Sequence, residues 1–225
     1  MKLVLFDIDG TLLKGGGVGV QTMEETGRAL FGESFAVQGL DFSGKIDPQI
    51  YGELAELNKH LAITEHHDRF RDDYIDRLAL ALSQIAEDFV LPGVRVILEE
   101  LLVRQQMMGL LTGNYSRAAP LKIAAASMDM NWFKINAFGD EGRSRNELPL
   151  VAMRKYETVT GREISGKDVM IVGDTPRDIE CAKVNGCYAF AVATGRWSYE
   201  ELKSAGADTV VSDLSDPEPL FSLLG

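Results

Sequence analysis

A chain of 225 residues, 45% hydrophobic and 25% charged with 22 glycines and 7 prolines, is long enough for one substantial core or for a core with a smaller satellite, and its composition is that of an ordinary globular protein rather than a disordered or fibrous one. The formal net charge of -11 argues against nucleic acid as a partner, because that role needs a basic surface that displaces counterions, whereas a small anionic ligand needs only local positive contacts. No apolar run approaches the ~20 residues of a membrane helix, the longest, Val90–Val103, being broken by Pro92, Arg95, Glu99 and Glu100.

The first segment, Leu3–Phe6, is apolar throughout and ends in Asp7, Asp9, Gly10 and Thr11. Similar β-branched or apolar runs recur at Met108–Thr112, Val169–Val172, Tyr188–Val192 and Thr209–Val211, with helical periodicity between the later ones. Runs without alternation are those of parallel strands covered on both faces, so the pattern predicts an α/β fold built on a doubly wound parallel sheet.

Between the first two strands lie about eighty residues with helical patterning and no convincing strand, far more than one crossover helix requires. They predict an inserted α-helical domain over 15–89, with 1–14 and 90–225 forming the core. Its helices are expected near Gly19–Leu30, Asp47–His60 and Thr64–Gln84, the first two separated by the loop Phe31–Lys45. Pro92-Gly93 marks the return to the core, and Val94–Gln106 leads as a helix into the second strand. The run Gly15-Gly16-Gly17-Val18-Gly19 lacks the ending of a nucleotide-binding loop and reads as a hinge. His60, His66 and His67 sit among charged residues and read as a solvated face. Only Cys181 and Cys187 are present, and no secretory leader precedes the first strand, so a reducing cytoplasm is expected. Oligomeric state has no signature in the sequence.

In open α/β sheets ligands bind at the carboxyl ends of the strands. The first strand ends in Asp7, Asp9, Gly10 and Thr11; the second in Thr112, Gly113 and Asn114; the third in Gly173, Asp174, Thr175 and Asp178. Each group alone is an ordinary turn or helix cap. Together they bring the carboxylates of Asp7, Asp9, Asp174 and Asp178 to one edge, where mutual repulsion calls for a cation. An all-oxygen site suits magnesium, which keeps waters and leaves room for a phosphate. Thr112 offers a hydroxyl, and the N–H groups around Gly113 and Asn114 offer an anion cradle.

The segments Asp7-Ile8-Asp9-Gly10-Thr11-Leu12, Leu111-Thr112-Gly113-Asn114 and Val172-Gly173-Asp174-Thr175-Pro176-Arg177-Asp178-Ile179 resemble, in order and spacing, the motifs of the haloacid dehalogenase-like hydrolase superfamily. The resemblance implies that Asp7 is a nucleophile forming an aspartyl-phosphate and that Asp9 is its general acid and then base. It also implies that Asp7, the Asp9 carbonyl and Asp174 hold Mg2+, with Asp178 beside them as a ligand through water or as an orienting partner. The acid at Asp9 favours a phosphatase over a dehalogenase. The helical insertion resembles the cap of such enzymes, and Asp41-Phe42-Ser43-Gly44-Lys45-Ile46-Asp47 resembles the specificity loop of phosphoglycolate phosphatase-like members, with Lys45 the candidate contact to the substrate.

One motif departs from the pattern. The family places a lysine, followed by proline, ahead of the last acidic motif, and no Lys-Pro occurs here. The best-placed cation is Arg145, whose planar fork can serve two phosphoryl oxygens but is not equivalent to a lysine. The resulting expectation is a magnesium-dependent phosphatase for a small phosphorylated metabolite. The alternatives are a sugar-phosphate mutase of the same superfamily, a receiver-like signalling domain, or a non-catalytic regulatory protein that kept the fold.

Overall fold

The computed structural model describes residues 1–15, 17–85 and 89–224. Five parallel strands, β1 (Leu3–Phe6), β2 (Met107–Leu110), β3 (Val169–Gly173), β4 (Tyr188–Val192) and β5 (Thr209–Val211), form one sheet in the order β2-β1-β3-β4-β5. The register aligns the strand ends that carry polar clusters: Phe6 pairs with both Leu110 and Val172. Beyond Phe6, the Asp7 N–H still donates to the Val172 carbonyl at 2.9 Å, so the ladder holds the backbone of Asp7 in place.

Alternation along the strands gives two buried faces. Val4, Phe6, Met108, Leu110, Met170 and Val172 pack beneath α4 (Val94–Val103), α5 (Ala119–Ala125) and α9 (Glu218–Phe221). Leu3, Leu5, Val169, Ile171, Ala189 and Ala191 pack against α6 (Leu148–Thr160), α7 (Pro176–Val184) and α8 (Tyr199–Ser204). Leu3–Phe6 is wholly buried. This explains why the strand sequences are continuously apolar, each buried aliphatic side chain contributing about 1.5–3 kcal/mol of transfer free energy.

Between β1 and β2 run α1 (Val18–Phe31), α2 (Asp47–Leu57) and α3 (His67–Ser83). They enclose a separate apolar cluster of Met23, Phe35, Ile50, Tyr51, Leu54, Phe70, Tyr74 and Leu78, which Tyr115 and Ala118 from the segment after β2 complete. Phe35 packs against Phe70 with ring centroids 6.3 Å apart. The insertion therefore has its own core but is fastened to the sheet by residues of the sheet layer.

The helix ends differ from expectation for local reasons. α2 stops at Leu57 rather than His60, because the Asn58 amide donates to the Leu54 and Ala36 carbonyls at 2.9 and 2.8 Å and its oxygen accepts from the Ala36 N–H. The turn Ile63–His66 is a 3-10 turn, so the third helix begins at His67 and not at Thr64. The helix after Gly93 ends at Val103 rather than Gln106, with Gln105 at a φ of 53° turning the chain into β2. His67 does not lie on a solvated face: its ring is 4.7 Å from that of Tyr51, and its Nε2 shares a 2.9 Å hydrogen bond with the Tyr115 hydroxyl. Gly16 of the glycine run and residues 86–88 at the expected return lie outside the described residues. Among the described residues no helix is long and apolar enough to cross a membrane.

Candidate active site

A pocket of about 380 Å³ opens above the carboxyl ends of β1, β2 and β3, with α1–α3 forming its far wall. Asp7 lies on its floor, 5% exposed. The chain then turns at Gly10, whose φ of 85° suits glycine, and where an added Cβ would lie 2.3 Å from the Asp174 carboxylate. Two requirements, the turn and the close approach of Asp174, fall on one residue.

Arg145 reaches Asp7 from a 3-10 turn just ahead of α6. Its Nη2 lies 3.1 Å from Asp7 Oδ1 and also pairs with Asp178 Oδ1, while contacts of 3.4 Å run to the Leu111 and Gly44 carbonyls. The guanidinium is 5% exposed, and its Nε is buried with no hydrogen-bond partner among the described residues. Asp178 is not free to turn elsewhere. Its Oδ2 closes the capping box at the start of α7, accepting from the Thr175 N–H at 3.0 Å and the Thr175 hydroxyl at 2.7 Å. The geometry makes Asp178 the group that orients Arg145.

Asp7, Asp174 and Asp178 each place a carboxylate oxygen within 4.8 Å of the others. Burial pushes the Asp7 carboxyl up to about 6 against the pull of Arg145, with Asp178 and Asp9 adding to the rise. Burial and then the charges of Asp178 and Asp7 push Asp174 up to about 8, although the Thr11 hydroxyl donates to it at 3.2 Å. One arginine thus faces three crowded acids, a cluster that could hold a metal ion and whose ionised forms such a cation would favour. The oxygen-only donor set fits such a hard cation. The carboxylate of Asp9 stands apart from this trio.

Asp9 faces the pocket instead. Its Oδ2 accepts from Lys122 Nζ at 2.5 Å and from Asn114 Nδ2 at 2.8 Å, and Asn114 in turn donates to the Thr112 hydroxyl at 2.8 Å. Partial enclosure pushes the Asp9 carboxyl up, but the charge of Lys122 and the hydrogen bonds from Asn114 and Lys122 outweigh it and hold the group below the usual carboxylate range. The ammonium of Lys122, 5% exposed, comes from α5. Sequence reasoning missed it. The available signal was a lysine between Ala119 and Ile123 on the buried face of a short helix, where the periodicity calls for an apolar residue.

The loop before α2 is pressed against the sheet edge. A Cβ on Gly113 would meet the Lys45 carbonyl at 1.9 Å, and one on Gly44 would meet the Thr175 hydroxyl at 2.5 Å. The Asp47 N–H donates to the Gly113 carbonyl at 2.7 Å, and Asp47 Oδ2 accepts from the Tyr115 N–H at 2.8 Å. At its other end Asp41 pairs with Arg177 at 2.9 Å and Arg196 at 3.1 Å. Lys45 lines the pocket, but its ammonium is held by Glu53 Oε2 at 2.5 Å. Asp47, the last residue of the expected specificity loop, lines the same wall, as does Tyr74, which the sequence did not single out.

Buried carboxylates and an arginine gathered at the carboxyl edge of a parallel sheet, under a helical wall, stand where open α/β enzymes place their active sites. The chain belongs to the haloacid dehalogenase-like hydrolases, whose family model matches residues 1–186. It is similar to the phosphoglycolate phosphatase of Vibrio cholerae, 24% identical over 95% of this chain and 94% of that protein, and to that of Aquifex aeolicus, 23% identical over 96% and 94%. Among solved structures it resembles β-phosphoglucomutase from Clostridium difficile, with a TM-score of 0.75 at 14% identity over 100% of this chain and 97% of that one. It also resembles CbbY from Rhodobacter sphaeroides in complex with phosphate, with a TM-score of 0.70 at 18% identity over 96% of each chain. At these identities the structures show the fold.

Proposed function

We propose that this enzyme is a magnesium-dependent phosphatase that hydrolyses a small phosphorylated metabolite through an aspartyl-phosphate on Asp7. The observation that carries the reading is the buried Asp7 carboxylate on the pocket floor, 3.1 Å from Arg145 and beside Asp174. A buried carboxylate aimed into a pocket and matched by a rigid cation has the arrangement of an activated nucleophile rather than of a structural ion pair. The names of the curated relatives agree with phosphate-ester hydrolysis.

Asp7 attacks phosphorus, the bond from phosphorus to the leaving oxygen breaks, and that oxygen takes a proton from Asp9. The incoming phosphoryl dianion sets negative charge beside Asp9 and so favours the protonated form that Lys122 otherwise opposes. Water then attacks phosphorus, its proton passes to Asp9, and the bond to Asp7 breaks to release phosphate. Asp9 starts this second half as the carboxylate that Lys122 and Asn114 stabilise. Arg145, the Thr112 hydroxyl and the N–H groups around Gly113 and Asn114 hold the equatorial oxygens. Asp7, Asp174 and the Asp9 carbonyl would hold a magnesium ion, which would supply charge neutralisation at the phosphoryl group. The helical insertion serves as a cap that excludes water and selects the leaving group. Two buried free thiols, Cys181 and Cys187, suit a reducing cytoplasm.

The test is hydrolysis of p-nitrophenyl phosphate with and without magnesium. Wild type is expected to turn over only with the metal, Asp7→Asn to be inactive while still unfolding in one cooperative transition, and phosphate to appear in step with the alcohol. Undiminished turnover by Asp7→Asn would overturn the mechanism, and return of the phosphoryl group to a sugar instead of release would mark a mutase.

A further inference from the structure

The wall of the pocket opposite Asp7 carries three charged or polar groups that the reaction above does not use. Asp47 is 6% exposed, with Oδ2 taken by the Tyr115 N–H and no protein hydrogen bond to its Oδ1 among the described residues. Tyr74 is 1% exposed and has no hydrogen-bond partner for its hydroxyl among those residues, yet it lines the pocket. Burial raises that hydroxyl well above the ordinary tyrosine value, with the charges of Asp47 and Asp9 adding to the rise, so it stays a donor. Lys45, the one cation of the helical insertion on this wall, is 11% exposed and already paired with Glu53. Neither Asp47 Oδ1 nor the Tyr74 hydroxyl is among the described side-chain atoms that are sealed from solvent without a partner, so both open onto the pocket, and a free acceptor and a free donor there mark where a ligand group completes the hydrogen bonding.

The charges sort the candidates. A substrate carboxylate in this compartment would meet the Asp47 carboxylate and would have to take Lys45 away from Glu53. Arg196, at the rim, is paired with Asp41, and Lys122 with Asp9. A hydroxyl meets no such penalty, because it donates to Asp47 Oδ1 and accepts from Tyr74. From this we infer that the preferred leaving group is an uncharged, hydroxyl-bearing alcohol rather than a carboxylic acid, with Asp47 and Tyr74 as its specificity-determining contacts. The inference rests on the phosphatase reading and narrows it.

Ethyl phosphate, 2-hydroxyethyl phosphate and 2-phosphoglycolate form a test series of nearly equal size that differs in a methyl, a hydroxyl and a carboxylate. Assays belong at pH 8, because burial pushes the Asp47 carboxyl up to about 7 and its charge is present above that value. Wild-type kcat/KM is expected to favour 2-hydroxyethyl phosphate over 2-phosphoglycolate by at least about tenfold. Asp47→Asn, which removes the charge and keeps an acceptor, should shrink that ratio about fivefold or more, and Glu53→Gln, which frees Lys45, should act in the same direction. Tyr74→Phe should reduce the ratio of kcat/KM for 2-hydroxyethyl phosphate to that for ethyl phosphate. A wild-type preference for 2-phosphoglycolate, or a ratio that neither charge variant moves, would overturn the inference while leaving phosphatase activity intact. Failure to hydrolyse any of the three, or p-nitrophenyl phosphate, with magnesium would overturn the phosphatase reading and this inference together.

Discussion

Lys122 and Asp9 meet at the edge of the pocket, the ammonium 2.5 Å from Asp9 Oδ2, with the lysine side chain 5% exposed and that of Asp9 41% exposed toward the cavity. Among the described residues the lysine has this one hydrogen-bond partner, while the carboxylate keeps a side open to the pocket.

Lys122→Met should lower kcat by about 10- to 100-fold with a smaller change in KM, since it impairs proton transfer rather than ground-state binding. Loss of the neighbouring positive charge disfavours ionised Asp9 and moves its carboxyl upward, so the acid limb of the kcat profile should shift to higher pH. Steady-state kinetics from pH 5 to 9 check both effects. A profile whose acid limb stays in place would show that Lys122 does not govern Asp9.

Asp47→Asn should stabilise the protein at pH 8 and much less at pH 5. Burial raises Asp47 from an ordinary carboxyl value to about 7 in the folded state. Folded protein therefore binds the proton more tightly than unfolded chain, and stability falls as pH rises from about 4 to 7. The amide keeps an acceptor for the Tyr115 N–H and removes that penalty, a gain of about 1–4 kcal/mol above pH 7. Urea melts of both proteins at the two pH values measure it. An equal effect at both values would show that the charge is not the cause.

Gly195→Ala should weaken metal activation with little change in Tm. An added Cβ would lie 1.8 Å from Asp174 Oδ2, and since the obstructing atom is the end of a side chain, the carboxylate rather than the backbone must move. Displacing one carboxylate of the acidic group is expected to raise the magnesium concentration for half-maximal activity by about 10- to 100-fold. Activity titrated against magnesium gives the shift directly, and an unchanged midpoint would remove Asp174 from the metal site.

Gly27→Ala tests the core of the helical insertion. Alanine is the better helix former by about 1 kcal/mol, but its Cβ would sit 2.1–2.4 Å from three ring atoms of Phe35, which is itself 1% exposed. Overpacking of about 1–3 kcal/mol should prevail, leaving a net loss read as a lower denaturant midpoint. A stabilised variant would mean that Phe35 can move aside freely.

The parallel sheet and the three strand-end clusters were legible from sequence alone, because a strand buried on both faces has a one-dimensional signature and each cluster follows directly on its strand. Asp7, Gly10, Thr112 and Asp174 are found where that pattern put them, at one edge. Arg145 was legible only as the best-placed cation in a stretch without the usual motif. Its contact with both Asp7 and Asp178 depends on the turn before α6, which no local pattern specifies.

The amino-acid sequence by itself determined the family, the sheet and the acids that line its edge, since those are matters of order and spacing along one chain. The tertiary structure decided which charges meet: Lys122 with Asp9 across 113 residues, Lys45 with Glu53, and Asp47 with the backbone of Tyr115. Those pairings depend on how α1–α3 and α5 settle around the pocket. Because interaction between charges depends on distance and enclosure rather than on sequence separation, the chemistry of the pocket wall emerged only when the chain was folded.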